Sequence, residues 1–185
     1  MGKNHEDLPG KEGANMKILV VSDSHGDVSA LRSVLRRQPG AALVIHLGDG
    51  ARDLEQLRPE FPEKAYLQLR GNNDIGSSAP DTAEIQREGV RIFCTHGHLH
   101  RVKYETDTLL SAGRGADVIL YGHTHRPENG YQRGCHLINP GSLRGYGGSY
   151  ALLELTDRGI LANIVATGEA PGAAPGTATG LGRGW

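Results

Sequence analysis

The residues of this chain with the clearest chemical potential are carboxylates, imidazoles and one amide that follow five apolar segments. The segments KILVVS, ALVIHL, YLQLR, RIFC and VILY are followed in turn by DSHGD, GDG, GNND, THGH and GHTH. Carboxylate, imidazole and amide donors together favour Mn, Fe, Ni, Zn or Co, whereas an all-oxygen set would favour Mg or Ca. These motifs contain seven candidate metal ligands: Asp23, His25, Asp49, Asn72, His96, His123 and His125.

Seven ligands are too many for one tetrahedral site and are the right number for two ions with five or six ligands each. Two ions about 3.5–4 Å apart need a ligand that bridges them, and a carboxylate can do this. Asp49, from the middle of the series, is the predicted bridge. His123 and His125, two residues apart, can each bind a different ion across the same loop.

Other polar residues near these segments have structural interpretations. Asp27 and Asp81 are predicted to be turn formers or helix N-caps. His46 lies inside an apolar segment, so we expect a buried or supporting role. His100 is expected to face solvent or cap the next helix, and His136 is expected on a strand surface.

Strand and helix patterns alternate in the first half of the chain, which is typical of an α/β fold. Ligands of such folds bind beyond the carboxyl ends of the strands, where the motifs lie. The tight turns there explain the neighbouring glycines. The predicted strands cover 17–23, 41–50 and 65–74, and the predicted helices cover 27–40 and 51–61.

The second half is richer in strands. A hairpin is predicted over 83–97, a helix over 102–115 and a buried strand over 116–125. Two more hairpins are predicted over 130–142 and 149–166. The expected architecture is two stacked sheets with flanking helices.

Composition limits the classes of function. A chain of 185 residues with net charge −1 fits one domain and has no basic field for nucleic acid or an anionic membrane. No apolar run approaches the roughly 20 residues of a membrane helix. Cys94 and Cys135 lie in apolar stretches and are interpreted as core residues in a reducing, cytoplasmic compartment. We predict a disordered extension (1–15), a folded domain (16–166) and a flexible Gly, Ala and Pro-rich tail (167–185).

The motifs DSHGD, GDG, GNND, THGH and GHTH, in this order, resemble those of the calcineurin-like metallophosphoesterase superfamily. The compact size is similar to that of its small bacterial and archaeal metal-dependent phosphodiesterases, and the resemblance covers about residues 16–165. It implies a four-layer α/β-β/α sandwich with a dimetal site at the strand ends. It also implies hydrolysis of small phosphodiesters by a hydroxide that two divalent ions activate, with Mn²⁺ expected and Ni²⁺, Fe²⁺, Zn²⁺ or Co²⁺ as alternatives.

The resemblance also implies individual roles. The first ion would be held by Asp23, His25, Asp49 and His125, and the second by Asp49, Asn72, His96 and His123. His98 would face the substrate phosphate, Asp74 would orient a ligand or His98, and Asn139 would support the site. Many nucleases and protein phosphatases of the superfamily carry a His after GN that assists the leaving group. This chain has Asn73 there, and His98 is the candidate to supply the acid instead.

Three alternatives stay open. The same ligands would serve a phosphomonoesterase or a dinucleotide polyphosphate hydrolase. The fold is also used as a non-catalytic scaffold in the retromer coat, against which the intact set of seven argues. The absence of large insertions disfavours nucleic acid and protein substrates, and exposed strand edges favour a homodimer or homotetramer. We expect specificity to depend on loops around 76–82, 98–104 and 140–148.

Overall fold

A computed structural model of the protein describes residues 15–145 and 147–168. The predicted terminal segments therefore lie outside the described residues, apart from Asn15, Thr167 and Gly168. The described elements are, in chain order, β1 (Met16–Val21), α1 (Val28–Arg37), β2 (Leu43–His46), α2 (Ala51–Leu57), β3 (Ala65–Gln68), β4 (Thr82–Arg87), β5 (Val90–Thr95), α3 (Asp107–Ala112), β6 (Val118–Leu120), β7 (Glu128–Gln132), β8 (Cys135–Asn139), β9 (Ser149–Thr156) and β10 (Gly159–Ala166).

These strands form two mixed sheets. The first has the order β10-β9-β1-β2-β3, with β1, β2 and β3 parallel and β9 antiparallel to both of its neighbours. The second has the order β4-β5-β6-β8-β7, with β5, β6 and β8 parallel and hairpins at both edges. The parallel strands lie at the centre of the second sheet, whereas in the first they run from the centre to the edge strand β3.

Three apolar cores separate four layers. Alternate residues of β1 point to opposite faces, so Ile18 and Val20 pack between the sheets while Leu19 and Val21 pack under α1 and α2. A third core lies between the second sheet and α3. This arrangement confirms the predicted α/β-β/α sandwich.

Helix α1 begins where the sequence predicts. The Asp27 carboxylate accepts a hydrogen bond from Ala30 N–H at 3.0 Å, which confirms its N-cap role. Leu31, Val34 and Leu35 are fully buried and form the inward face of the helix.

The helix predicted over 102–115 is wrong in its first half. Only Asp107–Ala112 is α-helical; a 3₁₀ turn over His98–His100 and further turns come first. Arg101 has φ 54°, a left-handed conformation that an α-helix cannot contain. Glu105 then accepts a hydrogen bond from Thr108 N–H at 3.0 Å, so the helix begins after it.

The helix predicted over 51–61 is α-helical only over Ala51–Leu57 and ends in a 3₁₀ turn over Arg58–Glu60, whereas the predicted hairpins and buried cysteines are confirmed. Hairpins β4–β5, β7–β8 and β9–β10 all form. Cys94 and Cys135 are free and buried in different cores. No described helix has the length and apolar character needed to span a membrane.

Candidate metal centre

Five strand ends bring the predicted ligands to one edge of the two sheets. Asp23, Asp49 and Asn72 follow β1, β2 and β3, while His96 and His123 follow β5 and β6. Backbone hydrogen bonds tie the loops together: Asp23 N–H donates to Gly48 O at 3.0 Å, and Gly122 N–H donates to His96 O at 3.0 Å. The parallel strands place these turns side by side.

Asp23, His25 and His125 form the first cluster. His125 Nε2 lies 3.0 Å from Asp23 Oδ1, and His25 Nε2 lies 3.6 Å from the same oxygen. The two Nε2 atoms are 3.2 Å apart. The ligand atoms of these three residues lie within 4.8 Å of one another, a spacing that one cation can span.

Asp23, Asp49 and His96 form a second cluster of the same spacing. Asp49 Oδ2 lies 3.6 Å from His96 Nε2 and 3.9 Å from His25 Nε2, so this carboxylate faces histidines of both clusters. Asn72 Oδ1 lies 3.2 Å from His96 Nε2. The ring centre of His123 is 5.1 Å from that of His96. All seven predicted ligands therefore lie together.

The donor set fits a divalent cation. Asp23 Oδ1 is fully buried and accepts no hydrogen bond of good geometry among the described residues; its near neighbours are imidazole nitrogens, with His125 Nε2 at 3.0 Å. Its Oδ2 accepts from Ser22 Oγ at 2.6 Å and from His123 N–H at 3.1 Å. A cation bound at Oδ1 would give this oxygen the partner that Oδ2 already has in its hydrogen bonds.

The imidazoles also present unprotonated nitrogens. His96 Nδ1 lies 3.1 Å from Leu47 O, a carbonyl that can only accept, so Nδ1 donates to it and Nε2 is the nitrogen directed at the oxygens of Asn72 and Asp49. Burial, reinforced by His96, lowers the pKa of His123 to about 4. Neutral imidazole is the form that binds metals.

Backbone strain is concentrated at this site. Eight non-glycine residues in the described parts of the chain have positive φ. Five of them are predicted ligands: Asp23, His25, Asp49, His123 and His125, with φ from 45° to 67°. Such conformations cluster at functional sites, where surrounding contacts must hold them.

Asp74 supplies much of that support. Its carboxylate accepts from Asp49 N–H at 2.7 Å, Gly50 N–H at 3.0 Å, Ala51 N–H at 2.9 Å and Gly71 N–H at 2.9 Å. Burial acts to raise the pKa of Asp74, but these backbone donors outweigh it and the pKa is lowered. Asp74 thus joins the loops that carry Asp49 and Asn72 and is a positioning residue.

A buried polar network, which the sequence analysis did not identify, lies beneath the first cluster. Ser24 Oγ donates to Asp53 Oδ2 at 2.6 Å and lies 3.1 Å from His46 Nε2. Asp53 Oδ2 also accepts from Gly26 N–H at 2.9 Å, and Gly48 N–H donates to His46 Nδ1 at 3.2 Å. Burial lowers the pKa of His46 to about 4. The supporting role expected for His46 is confirmed; Ser24 and Asp53 could have been noticed only from their positions in DSHGD and GDGARD.

Two asparagines fix individual ligands. Asn73 holds both oxygens of Asp49, through its N–H at 2.8 Å and its Nδ2 at 2.5 Å. Asn139 Nδ2 donates to Gly122 O and to Thr124 Oγ1, both at 3.0 Å, and its Oδ1 accepts from Gly141 N–H. Asn139 therefore anchors the loop between His123 and His125.

Several glycines at this edge have no room for a side chain, and two of them lie against the carboxylates. A Cβ on Gly71 would overlap the Asp49 carboxylate, and one on Gly122 would overlap the Ser22 hydroxyl and lie 3.0 Å from Asp23 Oδ2. The backbone at these glycines therefore approaches the carboxylates of Asp49 and Asp23 closely, as the glycines in the motifs predicted.

His98 lies beside the second cluster, with its ring centre 5.4 Å from that of His96 and 6.2 Å from that of His123. Its Nδ1 is buried with no hydrogen-bond partner among the described residues. Burial and then His96 lower the pKa of His98. On another side, His25 and Asp49 border a cleft of ≈ 430 Å³.

Some structural interpretations need correction. Asp81 pairs with Arg70, with three N···O distances of 2.8–3.0 Å, because the guanidinium reaches across the loop. His100 is half-buried instead of solvent-facing, since its Nδ1 lies 3.3 Å from Thr95 Oγ1 and its ring packs edge-on against Phe93. His136 is on strand β8, as predicted.

Known proteins share this sequence and fold. Bacillus subtilis YsnB, named as a probable metallophosphoesterase, is 36% identical over 135 residues, which are 70% of this chain and 76% of YsnB. The Escherichia coli phosphodiesterase YfcE is 30% identical over 184 residues, covering 80% of this chain and 97% of YfcE. A Streptococcus pneumoniae structure described as a predicted phosphoesterase has TM-score 0.69 and 29% identity, covering 86% of this chain and 95% of that one.

Vps29 from Cryptosporidium parvum also matches, with TM-score 0.65, 17% identity and coverage of 82% of this chain and 97% of Vps29. At that identity it shares the fold alone. A family model described as the calcineurin-like phosphoesterase superfamily domain matches residues 16–158. Metallophosphoesterases of this kind hydrolyse phosphoric esters with divalent metal ions, in keeping with the clusters of Asp and His. The chain belongs to the calcineurin-like phosphoesterase superfamily.

Proposed function

We propose that the protein is a metal-dependent phosphodiesterase that hydrolyses small phosphodiesters at this centre. The observation that carries the proposal is the convergence of seven candidate metal ligands around a fully buried carboxylate oxygen of Asp23 that accepts no well-formed hydrogen bond. The similarity to YfcE, which is named a phosphodiesterase, supports phosphodiesters as the class of substrate.

The proposed ligands of a first ion are Asp23, His25, Asp49 and His125, and those of a second are Asp49, Asn72, His96 and His123. The position of Asp49 Oδ2 between His25 and His96 supports a bridging role. Mn²⁺ is the proposed metal, with Ni²⁺, Fe²⁺, Zn²⁺ or Co²⁺ as alternatives that the same carboxylate, imidazole and amide donors suit. When bound, the ions would supply Lewis-acid stabilisation of phosphate charge and a nucleophile from water near neutral pH.

The chain's own groups would position substrate around the ions. His98, whose ring lies beside those of His96 and His123, would contact the phosphate and remains the candidate to supply the acid for the leaving group. Asp74 and Asn73 hold Asp49 in place through the bonds described above. Asp49 would hold the ions directly, whereas Asp74 acts through the backbone of Asp49.

The partners and location are also proposals. The substrate is a small phosphodiester, in preference to nucleic acid or a membrane, because the domain carries no net basic charge. The edge strands β4, β7 and β10 support a homodimer or homotetramer. Two free, buried thiols support a reducing, cytoplasmic compartment.

The decisive experiment measures hydrolysis of bis-p-nitrophenyl phosphate by chelator-stripped protein with and without Mn²⁺. We expect turnover only with the metal, and none in Asp49→Asn, because the amide removes the bridging charge. Asp157→Asn is the matched control, since it makes the same substitution at an exposed residue of the β9–β10 turn, outside the proposed ligand set and the cleft. Unchanged turnover in Asp49→Asn would refute the bridge.

Two alternative classes of function, another phosphoesterase and a non-catalytic scaffold, would give different results in turnover assays. A phosphomonoesterase or dinucleotide polyphosphate hydrolase would turn over p-nitrophenyl phosphate or a dinucleoside tetraphosphate faster than the diester. A scaffold like that of the retromer coat would stay folded yet show no turnover with any divalent ion.

A further inference from the structure

The cleft beside His25 and Asp49 is formed by three segments of the chain. They are the turn at His25–Gly26, the loop and helix start over 49–55, and the loop over 73–78. Its volume of ≈ 430 Å³ falls within the range of small-molecule sites, about 300–1,000 Å³. Since two proposed metal ligands border it, a group bound to phosphate at the centre can extend into it.

Ile75 is the unusual residue of this cleft. It is 86% exposed, more than any other large apolar side chain among the described residues. Its neighbours in the cleft are small or polar: Gly76, Ser77, Ser78 and the exposed Arg52 of α2. An apolar side chain held in water beside a reactive centre gains stability if a ligand covers it.

Arg52 adds a second means of contact. Among the described residues its guanidinium forms no ion pair, so it is available to a ligand. A guanidinium stacks on flat ring systems as well as donating hydrogen bonds. The cleft thus combines an apolar surface, a stacking cation and the Ser77 and Ser78 hydroxyls.

We propose that this cleft binds one ester group of the phosphodiester, a flat ring of aryl or nucleoside type, and that Ile75 is a specificity-determining residue that packs against the ring. The inference rests on the proposed diesterase function and adds the class of substrate. A diester with only small alkyl groups would leave the cleft unused. Ring-bearing diesters would therefore bind more tightly.

The test compares three substrates that all release p-nitrophenolate. Their second ester group is p-nitrophenyl, thymidine or methyl. Two variants act in different ways: Ile75→Ala removes the apolar contact, and Ser78→Trp narrows the cleft from an exposed position. Leu161→Ala is the matched control, because Leu161 is 57% exposed on β10 and does not line the cleft.

We expect Ile75→Ala to raise KM about three- to tenfold for the ring diesters, with kcat little changed. We expect Ser78→Trp to raise KM further and Leu161→Ala to leave KM unchanged.

The methyl ester shows which ester group the cleft holds. If the variants leave KM for the methyl ester constant, the cleft holds the group that is not released. If KM for the methyl ester rises as much as KM for the other two substrates, the cleft holds the leaving group. A larger rise in KM for the thymidine ester than for the bis-aryl ester would identify the ring as a nucleoside. A larger rise for the bis-aryl ester would identify it as an aryl group. KM unchanged for all three substrates in both variants would overturn the inference while leaving the phosphodiesterase intact.

A binding measurement separates the two proposals. Thymidine and p-nitrophenol are titrated into ¹⁵N-labelled wild-type protein and the Ile75→Ala variant. Shifts of the Gly76 and Ser77 amides in the wild type, weakened in the variant, would support the ring site without any turnover. A wild type with no turnover and no such shifts would overturn both proposals.

Discussion

The Asp74 carboxylate accepts four backbone hydrogen bonds, and Asp74→Asn should show what they contribute. Oδ2 accepts from Asp49 and Gly71, while Oδ1 accepts from Gly50 and Ala51. In the variant an NH₂ group, which is a donor, replaces one oxygen and faces two N–H donors. A hydrogen bond to a charged group contributes about 1.5–3 kcal/mol. Two lost bonds at the lower end, appropriate to a half-buried residue, reduce the free energy of unfolding by about 3 kcal/mol.

Urea unfolding of metal-free protein measures this loss. The matched control is Asp81→Asn, the same substitution at the carboxylate that pairs with Arg70 at the surface, where we expect a loss below about 1 kcal/mol. Because Asp74 holds the backbone of Asp49, its variant should also lower kcat and raise the Mn²⁺ concentration needed for half-maximal activity. Asp81→Asn should alter neither. Equal stability and equal metal dependence in the two variants would refute a positioning role for Asp74.

The pH dependence has a defined sign. The pKa of Asp74 is lower in the folded protein than in the unfolded chain, where it is about 3.9, so the folded state binds fewer protons. The stability that Asp74 contributes is present above that pH and is lost as pH falls through the folded pKa. Below about pH 4, unfolding of Asp74→Asn should therefore depend less on pH than unfolding of the wild type.

Three further predictions concern metal, acid and loop anchoring. Mn²⁺ at 100 times its Kd should stabilise the protein by about 2.7 kcal/mol, raising Tm reversibly with EDTA; an unchanged Tm would count against the site. Lowering pH from about 6.5 to 4 should cost metal-free protein up to about 3 kcal/mol through His46, because it is buried neutral with a pKa of about 4. His46→Gln should flatten that part of the pH profile, and an unaltered slope would contradict this origin. Asn139→Ala should lose about 2–3 kcal/mol and reduce turnover, since three hydrogen bonds disappear, whereas exposed Asn163→Ala should lose less than about 0.5 kcal/mol. Equal losses would show that Asn139 does not anchor the loop.

The candidate ligands could be predicted from the sequence because a short apolar segment is enough to indicate a buried strand and the residue at which it ends. Each apolar run predicts a buried strand, and a parallel sheet collects the strand ends at one edge. The residues after those ends, such as Asp23 and His96, could therefore be placed together before any distance was known. The contacts of Ser24, His46 and Asp53 join residues up to 29 positions apart, and periodicity carries no information about such contacts.

The first half of the helix predicted over 102–115 is wrong because periodicity reports which residues are buried and does not report the path of the backbone. Val102, Leu109 and Leu110 are all buried, and their spacing is compatible with one face of a helix. Val102 nevertheless reaches the core from a turn, where a Cβ on Gly97 would lie 2.8 Å from one of its methyl groups. Burial of the right residues is compatible with more than one backbone path, and the left-handed Arg101 could not be anticipated from its residue type.

The strained ligands explain why so much buried polar structure surrounds this edge. Left-handed φ costs a non-glycine residue on the order of 1–2 kcal/mol, and five ligands adopt it. The bonds of Asp74, Asn139 and the Ser24 network all end on or beside those turns, so they offset strain that a regular loop would avoid. Without them the loops would relax to ordinary turns and the side chains would separate. Gly122 beside Asp23 and Gly71 beside Asp49 have the complementary role, since they leave space for the carboxylates that a side chain would fill.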